Sequence, residues 1–425
     1  MGEFTNIYRK ICDYRDYIGI VEENSNLIVE LHLLEARPSS LHCPPYDKPH
    51  RLDNQADQRQ FSFKHRNFST QSSPLPPTPV NQEIRKMDIE YRRIIGGNFG
   101  DDMNSWFWER LSPGGWNETE NTLLGIGSLL GSDRDPRKVW HVIGSGAGYR
   151  YPLDLSSSKH WNFLAVRGPL TALALGLSEE KGCTDTAILL ALMSEFEPLP
   201  EEEREGIIFI PHHGAAENCE WDSICEAAGV KYIDPRIESK EVIETIRKSK
   251  LVLSGAMHAA IIADTFRVKW LPITTSSTIN HFKWLDWTIS MNVPYDPVFV
   301  GPGSLGGKIQ HFVYKYSWAS QKIPANAKEA IAYLKKRNRL GIVHNLKAGL
   351  IWKLGTYVER GLRSKPLSKI GKRIDNKATK VAVKTLRTAS ESRGMLSDDD
   401  TFQHRLDKME EHLNSIIGIK TNEKE

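Results

Sequence analysis

Cysteine is scarce in this chain. There are five in 425 residues (Cys12, Cys43, Cys183, Cys219 and Cys225), and no two stand at CxxC spacing. That excludes a disulfide framework and a thiolate zinc site, and it points to a reducing compartment. Long hydrophobic runs are missing too. No stretch reaches the roughly 18 apolar residues of a membrane span, and the N-terminus has no basic segment followed by an apolar run. The expectation is a soluble, non-secreted, cytoplasmic protein, peripheral on the cytoplasmic membrane face if it meets a membrane at all. Charge of one sign is also lacking: 56 Lys and Arg face 53 Asp and Glu, a net +3. Such a bias is too small for nucleic acid to be the main partner. What remains is ordinary for a globular protein, 40% hydrophobic and 26% charged, and long enough for two domains with tails.

Residues 1–86 read as an N-terminal extension, partly disordered. Short apolar runs such as Tyr17-Ile18-Gly19-Ile20-Val21 lie between Ile7 and Leu34. From Arg37 onward Pro, Ser, Gln, Asn and His dominate, ending in Ser73-Pro74-Leu75-Pro76-Pro77-Thr78-Pro79. That composition buries too little apolar surface to offset its ordering entropy. Met87 stands directly before the first convincing strand, so the segment is either an appendage or an upstream extension of the reading frame.

The next stretch organises the rest. Alternating Ile89, Tyr91, Arg93 and Ile95 predict a strand that runs into Gly96-Gly97-Asn98-Phe99-Gly100, then through Asp101 and Asp102 into a helix carrying Trp106, Phe107 and Leu111. Glycines let backbone approach a ligand, and a helix start offers free N–H groups to an anion. The plain alternative is a tight turn with Asp101 or Asp102 as N-cap. The pattern then repeats. Strands at Thr122–Leu124, Val139–Ile143 and Asn162–Val166 end in Gly125-Ile126-Gly127-Ser128, Gly144-Ser145-Gly146-Ala147-Gly148 and Arg167-Gly168-Pro169. Short apolar runs alternating with helical patterns predict parallel α/β layers. If those strand ends share an edge, Gly97, Asn98, Gly100, Asp102, Gly127, Ser128, Gly144, Ser145 and Gly146 line a cleft for an anionic or sugar ligand.

Pro198 to Glu205 is rich in proline and acid and marks a domain boundary. Beyond it, strands at Gly206–Ile210, Lys231–Ile233, Leu251–Leu253 and Trp270–Ile273 alternate with helices at Trp221–Ala228, Glu241–Lys248 and Ala259–Phe266. The fold class expected is therefore α/β: doubly wound Rossmann-like domains over 87–197 and 206–320, facing a cleft in a GT-B-like arrangement. A helical C-terminal tail follows them.

In order and spacing, a series of these motifs resembles the polysaccharide pyruvyl transferase family. The series is Gly97-Asn98-Phe99-Gly100-Asp101-Asp102, Gly125-Ile126-Gly127, Gly144-Ser145-Gly146, Val166-Arg167-Gly168-Pro169, Gly182-Cys183-Thr184-Asp185, Pro211-His212-His213 and Ser254-Gly255-Ala256-Met257-His258-Ala259. The resemblance covers about residues 87–320. Many relatives carry Arg-Leu-His where this chain has Ala256-Met257-His258, and the match is closer to the branch that modifies succinoglycan-type exopolysaccharides. What it implies is transfer of pyruvate from phosphoenolpyruvate to two hydroxyls of one sugar as a cyclic ketal. Phosphoenolpyruvate is the donor substrate, and no cofactor is needed.

That chemistry calls for a cationic clamp, a proton donor and a base. Arg167 is the first candidate for the clamp, because guanidinium matches carboxylate and phosphate bidentately. His258, opening a helix after a strand, is the acid/base candidate, with a buried structural histidine as its alternative. Asp101 is a candidate base or acceptor-orienting group beside Asp102, and Asp185 reads as a helix cap. His212, His213 and Ser254 end strands of the second domain and are candidate substrate contacts. A metal at the histidines is disfavoured, because no carboxylate or cysteine lies at ligand spacing. Lys283 can supply the phosphate charge that Ala256 does not, and Trp284 beside it can stack on a sugar face. The alternative is an apolar helix face with a solvated lysine.

The C-terminal region differs in kind. Between Leu334 and Ser390 stand sixteen Lys or Arg against two acids, Glu359 and Asp375, with apolar residues at helical spacing. A basic helical segment over 325–390 suits an anionic membrane surface and a lipid-linked oligosaccharide acceptor; the alternative is helices packed on the catalytic domains. Over 398–418, Phe402, Leu406, Met409, Leu413 and Ile416 form a short heptad pattern that either makes a homodimer or docks on its own domain. Two rival functions share this architecture. One is a GT-B nucleotide-sugar glycosyltransferase, the other an inactive membrane-associated scaffold of polysaccharide assembly.

Overall fold

A computed structural model describes residues 88–112, 121–131, 134–148, 160–217, 219–277, 279–317, 323–338 and 342–417. The extension expected over 1–86 lies outside these residues. The described residues belong to one compact unit, 84–425.

Two parallel sheets carry the unit. The first pairs β1 (Asp88–Ile89), β2 (Asn121–Leu124), β3 (Val139–Val142) and β4 (Trp161–Phe163) in chain order. β1 is shorter than its alternating pattern predicts. It pairs for two residues, and the chain then turns at Gly96 and Gly97, whose φ values of 95° and 91° only glycine adopts readily. The second sheet contains β5 (Ile207–Ile210), β6 (Lys231–Tyr232), β7 (Leu251–Ser254), β8 (Lys269–Thr274) and β9 (Val298–Phe299), in the order β6-β5-β7-β8-β9. All its neighbours are parallel. The winding reverses between β5 and β7, so this sheet is doubly wound. Among the described strands the first sheet has no such reversal, which narrows the doubly wound expectation to the second.

The reversal matters for function, because ligands of open α/β sheets bind at the carboxyl ends of strands flanking such a switch point. β5 ends at Pro211-His212-His213 and β7 at Gly255-Ala256-Met257-His258. Gly255 and Ala256 both donate to the Ile210 carbonyl, at 2.7 and 3.2 Å, so the two loops are pressed together. The helix Met257–Thr265 that follows is buried at every residue. It has no solvent face because it packs between the second sheet and the 3-10 helix Thr186–Leu192. One apolar cluster draws Phe99, Leu123, Ile143, Val252, Ile262 and Trp270 from both sheets and their helices.

The C-terminal region forms helices at Leu305–Ser317, Ala327–Asn338, Ile342–Arg363, Ser368–Ser390 and Asp399–Ile417. Ser368–Ser390 buries Gly371, Ala378, Ala382, Leu386 and Ala389 along one face. These are mostly small residues, which allow close packing against the Trp221–Ala228 helix. The heptad positions Phe402, Leu406, Met409 and Leu413 of the last helix are all buried in the core of the same chain. Burying such side chains stabilises by about 1.5–3 kcal/mol each. The seam is therefore taken up within the chain, in line with the alternative that this helix docks on its own domain. Among the described residues no helix is long and apolar enough to cross a membrane.

Candidate active site

The loop between β1 and β2 delivers the first site residues to the second sheet. Phe99 N–H donates to the Pro235 carbonyl at 3.0 Å, and the Trp106 indole donates to Ser239 at 2.8 Å. A Cβ on Gly97 would overlap the Arg236 carbonyl, and one on Gly100 would overlap the His258 imidazole. Glycine at both places lets this loop close onto the β7 turn. The alternative of Asp101 or Asp102 as N-cap is not what the structure gives. The helical turn Phe99–Asp102 starts ahead of both, with Asn98 at its N-cap position. Asp102 instead accepts from the Asn98 backbone N–H at 2.9 Å, and Asp101 accepts from the Asn98 side-chain amide at 2.7 Å. Asn98 thus orients both carboxylates.

His258 lies between two carboxyls. Its Nδ1 is 4.0 Å from Asp101 Oδ1, and its Nε2 is 4.0 Å from Asp185 Oδ2. Neither distance is a hydrogen bond. The imidazole and the far oxygen of Asp185 are buried, and neither His258 Nε2 nor Asp185 Oδ2 has a hydrogen-bond partner among the described residues. Buried polar atoms are normally paired, so such orphans mark a place where a ligand group belongs. Asp185 does cap Thr186–Leu192, as expected, by accepting from Ala187 N–H at 3.1 Å through Oδ1. Its other oxygen faces the histidine.

The electrostatics follow from burial. Desolvation pushes Asp101 up to about 6, partly offset by the Lys283 charge and the Asn98 hydrogen bond. Desolvation also raises Asp185 to about 6, against the Ala187 bond and Arg167. His258 is pushed down to about 3 by burial, helped by Lys283 and Arg167, so it is a neutral imidazole near pH 7. Titratable groups driven apart in this way are typical of acid/base sites. Lys283, on the helix His281–Ser290, acts on all three groups and on His213, whose own value burial lowers to about 4. His212 and His213 lie with ring centres 4.4 Å apart, and His212 Nδ1 accepts from Gly214 N–H at 3.1 Å.

Arg167, whose charge reaches Asp185 and His258, is held by a network of its own. It is fully buried; its Nε donates to Asp286 at 3.2 Å, Nη1 to Ser128 at 2.8 Å and Nη2 to the Ala147 carbonyl at 2.7 Å. Asp286 in turn accepts from Thr171 N–H and hydroxyl at 2.8 and 2.5 Å. This network ties the glycine loops of the first sheet to the His281–Ser290 helix, and a Cβ on Gly146 would overlap the Arg167 guanidinium. Ser145 links two of those loops, donating to the Gly127 carbonyl at 3.2 Å and accepting from Leu129 N–H at 3.3 Å. Gly144, with φ 72°, packs against Thr186, where a Cβ would overlap its hydroxyl. Ser254 bonds the Ala256 carbonyl at 2.7 Å and is fully buried. Trp284 is buried with Trp270, Trp287 and Tyr295, stacked on the tyrosine at 5.5 Å. Its ring belongs to the core, and the apolar-face alternative accounts for it better than a sugar platform does.

Two polar groups escape the sequence reading. Asn280 donates to the Gly148 carbonyl at 2.7 Å, while its own carbonyl oxygen, like the Thr275 hydroxyl, is buried with no partner among the described residues. Both lie between β8 and the Lys283 helix, and Lys283 itself lies against Gly148. Their signal was the polar run after β8, which reads equally well as an ordinary turn.

No protein-family model matches the chain, and no solved structure matches it. Over 204 residues it is 44% identical to "Succinoglycan biosynthesis protein ExoV" of Rhizobium meliloti (strain 1021). The aligned part is 47% of this chain and 64% of that protein.

Proposed function

We propose that this chain transfers pyruvate from phosphoenolpyruvate to two hydroxyls of a sugar residue in exopolysaccharide biosynthesis, forming a cyclic ketal and releasing phosphate. The observation that carries this reading is the neutral, unpartnered His258 held between the carboxyls of Asp101 and Asp185, with Lys283 acting on all three. The motif series and the likeness to a protein named for succinoglycan biosynthesis supply the substrate class.

The residues fit the demands of the reaction. A carboxyl raised to about 6 holds a proton at mildly acidic pH and gives it to C3 of the enol, making C2 electrophilic; Asp101 fills this role. His258, neutral, accepts the proton of the first sugar hydroxyl as its oxygen bonds to C2. Phosphate leaves with the C2–O bond electrons, Lys283 balancing its charge. The second hydroxyl then adds to C2 and gives its proton to the Asp101 carboxylate left by the first step, closing the ketal. Asp185 steadies the imidazole as it charges. Arg167 holds the glycine loops in place, a positioning role in this scheme. A GT-B-like cleft between the sheets, with a lipid-linked oligosaccharide as acceptor, completes the proposal.

The test is phosphate release from phosphoenolpyruvate by the purified protein, with and without a membrane extract supplying lipid-linked glycans. Acceptor-dependent release, absent in His258→Ala, is expected. Consumption of a UDP- or GDP-sugar with no release would replace this reading with a glycosyltransferase.

A further inference from the structure

The basic C-terminal helices bury one face and leave another bare. On Ser368–Ser390 the face opposite Ala378, Ala382 and Leu386 carries Ile370, Arg373, Lys377, Lys380, Val381 and Lys384, which recur at spacings of three and four and form one stripe. The last five line a shallow groove along the helix, together with Asn376. Ile370 and Val381 are 48% and 50% exposed. The preceding helix exposes Leu354, Tyr357 and Val358 as it runs into the Ser364–Leu367 turn.

The acids of this region are turned away from the stripe. Asp375 accepts from Leu305 N–H at 2.6 Å, and Glu359 pairs with Arg363 at 3.1 Å beside Gly306. No carboxylate among the described residues pairs with Arg373, Lys377, Lys380 or Lys384. Solvation alone would explain cations without apolar neighbours. It does not explain Ile370 and Val381 set among them, or the bare aliphatic and aromatic side chains one helix earlier.

We propose that this stripe is a docking surface for an anionic lipid bilayer, with the cations at the headgroups and Ile370 and Val381 entering the acyl boundary. Each Lys or Arg near such a surface contributes about 1 kcal/mol, and exposed apolar side chains add burial in the interface. The proposal stands on this face alone and needs no particular reaction at the site. If the transfer reaction also holds, docking places the enzyme where a lipid-linked acceptor is presented.

The experiment is flotation of the full chain with vesicles of phosphatidylcholine containing phosphatidylglycerol, and with pure phosphatidylcholine. Binding to the anionic vesicles alone is expected. The triple variant Lys377→Ala/Lys380→Ala/Lys384→Ala should weaken it on the order of a hundredfold at constant salt. Val381→Ser combined with Ile370→Ser should weaken it severalfold at unchanged charge. Phosphate release with a soluble acceptor and the far-UV circular dichroism of both variants should match the parent, which separates lost docking from lost fold or lost chemistry. Equal binding to both vesicle types, no binding to either, or full binding by the Ile370/Val381 variant would overturn the proposal. The last result would leave a surface for soluble polyanions instead.

Discussion

Two buried charged groups lie side by side in this protein, and they are built on opposite rules. Arg167 and Asp286 are both fully buried, and every nitrogen group of Arg167 has a named acceptor. Around His258, the imidazole and the Asp185 carboxyl are also buried, yet His258 Nε2 and Asp185 Oδ2 have no partner among the described residues. A satisfied network fixes geometry. An unsatisfied cluster holds groups at shifted proton affinities, ready for something that arrives. The difference teaches which residues to hold responsible for shape and which for chemistry, although motif order alone would rank Arg167 and His258 together.

Activity offers the sharpest break. His258→Ala should lower kcat/KM for phosphate release by roughly 10²–10⁴-fold, the usual worth of a positioned acid or base. Its urea midpoint should fall only by the packing of a buried ring against the Gly100 loop, less than for Arg167→Met. A variant that keeps parental kcat/KM would remove His258 from the chemistry. Arg167→Met should do the reverse. Removing one partner of a buried pair strands the other, at a cost of about 3–5 kcal/mol, so the urea midpoint should fall steeply. Loss of activity should follow loss of fold. A stable Arg167→Met protein with a large rise in KM for phosphoenolpyruvate would return Arg167 to the anion clamp.

A smaller effect belongs to Lys283. Its charge acts on Asp101, Asp185, His213 and His258 at once. Lys283→Met should raise KM for phosphoenolpyruvate about tenfold, one charge-assisted contact of roughly 1.5 kcal/mol. It should also shift both limbs of the pH–rate profile upward, because the charge that lowers the base His258 (acidic limb) and the acid Asp101 (alkaline limb) is gone. Unchanged KM would mean that another cation meets the phosphate.

The sequence made the strands legible because they are short, apolar and bounded by small residues. Trp221–Ala228 falls where its pattern predicts, and β5, β7 and β8 lie within a residue or so of theirs. The glycines of the Gly97–Gly100 loop were legible as a close approach, but not what approaches: Gly100 meets a histidine from a segment more than a hundred residues away. The same limit hid the partners of Arg167. An arginine at a strand end looks the same whether it faces a ligand or Asp286, and Asp286 sits on a helix whose spacing shows only an apolar face. Trp284 misled for the same reason, because aromatic density marks a core as readily as a sugar platform. Periodicity tells which face of an element is buried. It does not say what the face is buried against.

The finest test compares proton affinity inside the cluster with stability. Asp101 rises from 3.8 to about 6, so the folded protein holds this proton more tightly than the unfolded chain does. Its contribution to stability is then fully present below pH 3.8 and lost as pH rises through 6. His258 runs the other way. Lowered from 6.5 to about 3, it favours the fold above pH 6.5 and costs stability as pH falls toward 3. Asp101→Asn replaces the carboxylate with a neutral group that still accepts from Asn98. At pH 7 it should therefore stabilise the protein, while a catalytic carboxyl is lost. The full shift corresponds to about 3 kcal/mol at 1.36 kcal/mol per pKa unit, but the side chain is 18% exposed, so the gain should be on the order of 1–2 kcal/mol. Urea midpoints at pH 7 and pH 4 decide the matter, because the gain should shrink toward zero at the lower pH. A gain equal at both would mean that Asp101 titrates like an open carboxylate, and the acid role would have to pass to Asp185.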